Sequence, residues 1–168
     1  REVSGRDDLS EVTYLEMSVD ASDQSVSRIG ELLPNLKQLK LNDSVLPSIR
    51  DLGTSVRNLS VLWLSRCGIV DLDGIGVLDN LRELYLSFNK ISDVTPLAMH
   101  EHLEVCNLIA DVDQLDSLGT CCCLTALTLD ANPITRRNGY RRLANHYVSH
   151  LEVLDDEPMG AADRTPVR

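Results

Sequence analysis

Three consecutive cysteines at 121–123, the further cysteines Cys67 and Cys106, and the histidine pairs His100/His102 and His146/His150 are the side chains able to ligate a metal or carry a redox step. Their spacing suits neither task. A thiolate cage needs C-x-x-C spacing so that several sulfurs can wrap one ion. Consecutive cysteines lack it, and Cys121 to Cys123 stand just before Leu124, where the chain turns inward, so they read as buried small residues. His146 and His150 fall at i, i+4 on a helix, yet neither histidine pair has the glutamate of a zinc-protease motif. Arg136, Arg137, Arg141 and Arg142 form the one basic cluster, followed by Glu152, Asp155, Asp156 and Glu157. Intramolecular charge pairing or a solvated face is the expectation for them, ahead of a site for an acidic partner. There is no Gly-rich phosphate loop, nucleophile elbow or geometrically defined carboxylate pair. The sequence therefore predicts no cofactor, no metal, no catalytic residue and no enzyme.

The elements around these residues must serve another purpose, and composition narrows it. The chain has 168 residues, 43% hydrophobic but only 4% aromatic, enough for one domain with an aliphatic core. A net charge of -10 argues against direct nucleic-acid binding, which needs clustered cations to neutralise phosphates, and against adhesion to anionic membranes. No apolar run approaches the ~20 residues of a membrane span, and no signal-peptide pattern opens the chain. The reading is a soluble domain that begins at Arg1 as a fragment of a longer protein. Five cysteines without regular spacing form no disulfide framework and fit a reducing compartment.

Self-alignment supplies the organising signal. LKQLKLNDS begins at Leu36, LSVLWLSRC at Leu59, LRELYLSFN at Leu81, LEVCNLIAD at Leu103 and LTALTLDAN at Leu124; VTYLEMSVD at Val12 is a weaker sixth copy. Successive starts differ by 23, 22, 22 and 21 residues. The fourth and sixth positions of each nonamer lie two apart and face one side of a short strand. One such strand cannot bury its apolar face alone, so coils must stack, with strands pairing in parallel. The ninth position holds Ser44, Cys67, Asn89, Asp111 and Asn132, side chains suited to bonding the backbone where the strand ladder ends. The predicted fold is an α/β, right-handed leucine-rich-repeat solenoid with a parallel concave β-sheet, short helical or 3₁₀ convex segments and a C-terminal cap helix.

Convex segments follow from Ile49 and Leu52, from Ile69, Leu72, Ile75 and Leu78, and from Ile91, Val94 and Leu97. Ser92, Asp93, Thr95 and Pro96 are helix-starting types. The fourth coil is short between Asp111 and Leu115, which predicts a tighter or irregular turn there. Tyr140, Leu143, Ala144 and Tyr147 have the spacing of an amphipathic helix, and Leu151 to Asp155 reads as a strand-like close. The predicted organisation is an N-terminal cap with the weak repeat over 1–35, five repeats over 36–135, a C-terminal cap over 136–157 and a flexible tail over 158–168.

Positions three, five and seven point onto the concave sheet and position eight to its rim, so equivalent residues form ladders about 4.8 Å apart. The fifth-position ladder is Glu16, Lys40, Trp63, Tyr85, Asn107 and Thr128. Trp63 and Phe88, the single Trp and the single Phe of the chain, fall on this face or its rim with Tyr85 between them. Such aromatics aimed at solvent mark an interaction patch, and Trp, Tyr and Arg are common interface anchors. Trp63, Tyr85, Phe88, Arg66, Lys40, Gln38, Glu83 and Asn107 are the candidate partner-binding residues. The competing reading is that cross-strand aromatic pairs stabilise the sheet and nothing more.

Repeats of about 22 residues that end in a Tyr-Arg helix and a Leu-x-x-Leu-Asp strand resemble the phosphatase-regulator-like class of leucine-rich repeats. Within it, LPNLKQLKLNDS, RDLGTS, VLWLSRCGIVDLDGI, LRELYLSFNKISDVTPL and LEVCNL resemble the ciliary family of leucine-rich repeat-containing protein fifty-six, over roughly Leu15 to Asp155. Cys106 in a Leu position, the short fourth coil, the triple cysteine and Ser149-His150 depart from that family's pattern. The resemblance implies a protein-binding adaptor in assembly or intraflagellar transport of axonemal outer dynein arms. Its partners would be outer-dynein-arm or transport-train proteins, and its location the cytoplasm and cilium or flagellum. A regulatory subunit of a protein phosphatase and a scaffold in a ribonucleoprotein complex are the alternatives.

Overall fold

The computed structural model describes residues 8–23, 25–107, 115–129 and 133–167. Strands β1 (Tyr14–Glu16), β2 (Gln38–Lys40), β3 (Val61–Trp63), β4 (Glu83–Tyr85), β5 (Val105–Asn107), β6 (Ala126–Thr128), β7 (Val153–Leu154) and β8 (Glu157–Pro158) form one sheet in sequence order. Each repeat strand covers the third to fifth positions of its nonamer. The register aligns the fourth positions directly, Leu15 to Leu39, Leu39 to Leu62, Leu62 to Leu84, Leu84 to Cys106 and Cys106 to Leu127, so the weak first copy is a full member of the sheet. Parallel strands demand a return path, and the coil supplies it in 3₁₀ turns at Ile49–Leu52, Ile75–Val77 and Thr95–Met99 and in α2 (Leu115–Leu118).

The core lies between these layers. Leu39, Leu41, Leu62, Leu64, Leu84, Leu86, Leu127 and Leu129 enter it from the sheet, and Ile49, Leu52, Leu72, Ile75, Leu97 and Leu115 from the convex turns, all essentially without solvent contact. Each such aliphatic side chain contributes roughly 1.5–3 kcal/mol on burial. Helix α1 (Ile29–Leu32) crosses so close to the next coil that a Cβ at Gly30 would stand 2.2 Å from the Ser55 carbonyl oxygen; only glycine permits that approach. Among the described residues no helix is long and apolar enough to cross a membrane. Asp111, Asp130, Asn132 and the short segment between Asp111 and Leu115 lie outside the described residues.

Helix α3 (Tyr140–Tyr147) closes the C-terminal end with Ala144 buried and Tyr140, Leu143 and Tyr147 packed on the core. β7 then adds to β6 in parallel. The segment expected to be a flexible tail departs from that expectation, because β8 turns back antiparallel on β7 and Met159 is buried. Arg141 is the physical reason. Its largely buried guanidinium donates to the Leu154 carbonyl at 2.9 Å and the Pro158 carbonyl at 3.1 Å, and its Nε lies 3.3 Å from Asp163 Oδ2. Arg164 adds a bond to the Leu151 carbonyl at 3.2 Å. One planar five-donor group thus ties two stretches of backbone to the Asp163 carboxylate, as an ammonium could not.

Candidate partner-binding face

Because the fourth position points inward, the third and fifth point out of the sheet on its concave side. Along the fifth-position ladder, neighbours are satisfied in pairs. Lys40 Nζ meets Glu16 Oε1 at 2.7 Å, and the Tyr14 hydroxyl donates to Glu16 Oε2 at 2.6 Å. The Lys40 bond, then the Tyr14 bond, hold the Glu16 carboxyl below its ordinary range. Next come Trp63 and Tyr85, aligned in register across β3 and β4, with ring centroids 5.5 Å apart and planes within 8°. This is an offset stack, worth about 0.5–1.5 kcal/mol beyond burial. The Tyr85 hydroxyl donates to Glu83 Oε2 at 2.9 Å. Burial, reinforced by that carboxylate, pushes the phenol up to about 12.

The rim ladder obeys a different rule. Asp43, Arg66 and Phe88, the eighth positions of three successive coils, have φ of 60°, 56° and 60°, left-handed conformations in which the chain leaves the strand. A bulky side chain in that region is strained by roughly 1–2 kcal/mol. Arg66 Nε donates to Asp43 Oδ1 at 2.5 Å and Nη2 to Oδ2 at 3.2 Å, while its guanidinium carbon sits 5.7 Å from the Phe88 ring centroid. Hydrogen bonding to Arg66 lowers the Asp43 carboxyl and raises the guanidinium in turn. Phe88 remains 59% exposed, so core packing does not explain a phenylalanine there.

The structure therefore brings Trp63, Tyr85 and Glu83 together as one cluster, and Arg66 and Phe88 as a second beside it. Lys40 is in register with Trp63, but its charge is committed to Glu16 on the other side. Gln38 is exposed and aligned with Val61, which is buried without belonging to the central core cluster. Asn107 is aligned with Tyr85; its side chain lies outside the described residues.

Other chemistry-bearing residues are placed as follows. Of the three consecutive cysteines expected to be buried only Cys121 is; its thiol donates to the Leu97 carbonyl at 3.1 Å, and Cys122 and Cys123 are exposed because they turn with the loop before Leu124. Cys67 is buried and donates to the Leu41 carbonyl at 3.0 Å. His150 Nε2 lies 2.9 Å from the Cys121 carbonyl, and His146 meets Tyr147 edge-on. Arg141 is internally bound, whereas Arg136, Arg137 and Arg142 are exposed. Among the described residues no three His, Cys, Asp or Glu side chains converge as metal ligands do.

Sequence reasoning passed over one ladder. Asn35, Asn58 and Asn80 stand immediately before the first Leu of successive nonamers, and each donates Nδ2 to a carbonyl of the preceding coil, at Ser10 (2.9 Å), Pro34 (2.8 Å) and Arg57 (3.0 Å). Their spacing of 23 and 22 residues was a readable signal. They border a polar groove of about 590 Å³ along the edge of the sheet, with Lys37, Arg82 and His102.

Against known proteins, the leucine-rich repeat family model matches residues 16–167. Leucine-rich repeat-containing protein 56 of Homo sapiens is 45% identical over 168 aligned residues, covering 90% of this chain and 31% of that protein. The chain thus spans about a third of the length of the curated relatives it matches. Dynein axonemal assembly factor 11 of Trypanosoma brucei brucei is 31% identical over 140 residues, covering 81% of this chain and 37% of that protein. Among solved structures, an internalin C2 from Listeria monocytogenes superposes with a TM-score of 0.66 at 21% identity, covering 87% of this chain and 62% of that one, a likeness of fold alone. Stacked nonamers in register, a ninth-position ladder and a family match running through the cap lead to one assignment: the chain belongs to the leucine-rich repeat family.

Proposed function

We propose that this chain is a non-catalytic adaptor that holds a protein partner on its concave face, and that the partner belongs to axonemal outer dynein arms or to the intraflagellar transport machinery. Family membership carries the coarser part, a protein-interaction scaffold. The observation that carries the site is the Trp63–Tyr85 stack, two large amphipathic rings presented on the sheet with Glu83 below and the Arg66–Phe88 pair at the rim. Rigid aromatics flanked by charge are what binding hot spots are made of. Support for the ciliary setting comes from the name of one relative, a dynein axonemal assembly factor at 31% identity. The cytoplasm and the cilium are the corresponding locations.

The test is capture from ciliated-cell extract by the parent chain and by a Trp63→Ala, Tyr85→Ala double variant, with circular dichroism confirming that both are folded. Dynein-arm or transport components retained by the parent and lost by the variant are the expected outcome. Equal retention removes the aromatic site. Recovery of a phosphatase catalytic subunit or of spliceosomal proteins replaces the ciliary setting with a regulatory or ribonucleoprotein one.

A further inference from the structure

On the convex side, away from the aromatic stack, the turns Ile75–Val77 and Thr95–Met99 leave a groove of about 490 Å³ walled by Ile75, Gly76, Val77, Pro96 and Met99. It continues past Gly76 and Met99 into a second hollow of about 260 Å³ bordered by His100. Three observations separate this groove from ordinary surface relief. Met99 is 81% exposed, the most of any large apolar side chain among the described residues. A Cβ at Gly76 would meet nothing within 4 Å, and its φ is not left-handed, so neither space nor backbone calls for glycine; at neighbouring Gly74, with φ of 90°, both do. The missing side chain keeps the groove open. His100 is 5% exposed, and its Nε2 has no hydrogen-bond partner among the described residues, which is costly for a buried polar atom.

The carboxylates that line the groove have no Lys or Arg among their fellow lining residues. Asp71 and Asp93 rim the first hollow and accept bonds from the backbone N–H of Asp73 and Thr95, both at 2.9 Å. Asp79 and Glu101 rim the second, alongside the exposed His102. Asp73 also lines the first hollow and is ion-paired with Arg50, whereas Asp71, Asp93, Asp79 and Glu101 make no ion pair among the described residues. An apolar floor inside an acidic rim fits a helix with one apolar stripe between cations. A flexible thioether at the centre accommodates such a stripe without demanding one shape.

We propose that this convex groove docks a basic amphipathic helix of a partner protein. An apolar side chain enters between Val77, Pro96 and Met99, Lys or Arg face Asp71, Asp93, Asp79 and Glu101, and a polar group of the helix meets His100 Nε2. This surface is separate from the concave one and stands or falls without it.

The chain's three methionines, Met17, Met99 and Met159, make the test specific. A sample labelled with ¹³C at the methionine methyls is titrated with a synthetic helix of about five turns carrying Leu on one face and Lys on the other. The expected result is a saturable shift of Met99 alone, unchanged in the Trp63→Ala, Tyr85→Ala variant and absent for the same helix with Glu in place of Lys. Gly76→Leu fills the groove and weakens binding about tenfold or more, with unmoved Met17 and Met159 signals reporting an intact fold. Met99→Ser, at a position too exposed to affect folding, weakens a fluorescent version of the helix likewise. A static Met99 signal, an equal response to the Glu helix, or unaltered affinity in both variants overturns the proposal.

Discussion

Phe88 and Asn89 are adjacent in sequence, close the same turn of the same coil, and do opposite work. Asn89 is 6% exposed and makes four bonds: Oδ1 accepts from the N–H of Cys67 (3.0 Å) and Ile69 (3.1 Å), and Nδ2 donates to the carbonyls of Leu64 and Leu86, both at 2.8 Å. Phe88 makes no such contribution to the interior; it is held left-handed and exposed under the guanidinium of Arg66. The inner ladder of Ser44, Cys67 and Asn89 is restricted to small side chains that bond the backbone. The outer ladder of Asp43, Arg66 and Phe88 is an acid, a base and an aromatic. Where the backbone dictates the partner, chemistry converges; where solvent faces the side chain, it diverges, and the diverging ladder is where recognition is to be sought.

Breaking the inner ladder has the largest expected effect. Asn89→Ala strands two N–H groups and two carbonyls in the interior, at about 3 kcal/mol or more in total. For a domain of this size that lowers the melting temperature by roughly 10 °C. Ser44 occupies the same position with one clear bond, accepting from the Val19 N–H at 3.0 Å, so Ser44→Ala should cost only about 1 kcal/mol. Thermal unfolding of the two variants measures both. Similar losses would show that the ninth position matters for its volume and not for its bonds.

The inner ladder was legible because leucine spacing sets the register and register sets everything buried; even the weak copy at Val12 pairs as its spacing requires. The concave placement of Trp63 and Tyr85 followed from the same period. Their mutual stacking did not, since a ladder position says which residues are neighbours and not how two rings settle. The return of β8 was invisible because it depends on Arg141 reaching Asp163 across a break in the period. The Gly76 groove was invisible for a plainer reason: it is made by a side chain that is not there.

On the outer face the expected energies are smaller and pairwise. A double-mutant cycle of Trp63→Ala and Tyr85→Ala should give a coupling of about 1 kcal/mol in unfolding free energy, the worth of a stacked pair. Phe88→Ala should leave that coupling unchanged, because Phe88 belongs to the Arg66 ladder. A coupling near zero would mean that the rings are held apart in solution and that the sheet gains nothing from them. In that case the reading of the pair as mere sheet stabilisation loses its footing, and recognition is left as the reason for two aromatics there.

The smallest expected effect lies in the ionisation of one phenol. Tyr85 titrates at about 12 in the folded chain against 10.0 for the free group, with burial the larger cause and Glu83 the second. A folded value above the unfolded one makes the stabilising contribution complete below pH 10, and it is lost as the pH climbs from 10 towards 12. Tyr14, bonded to Glu16, and Tyr140, partly buried beside Asp155, are also raised, so ultraviolet difference absorbance should show several late-titrating phenols, with the step near pH 12 removed by Tyr85→Phe. Because Trp63 lies flat against this ring, Trp63→Ala should bring the late step down further than Glu83→Gln, which removes the charged acceptor but leaves the stack. The reverse order would place the electrostatic partner above burial and mark Glu83, on the same face, as the residue a partner must displace first.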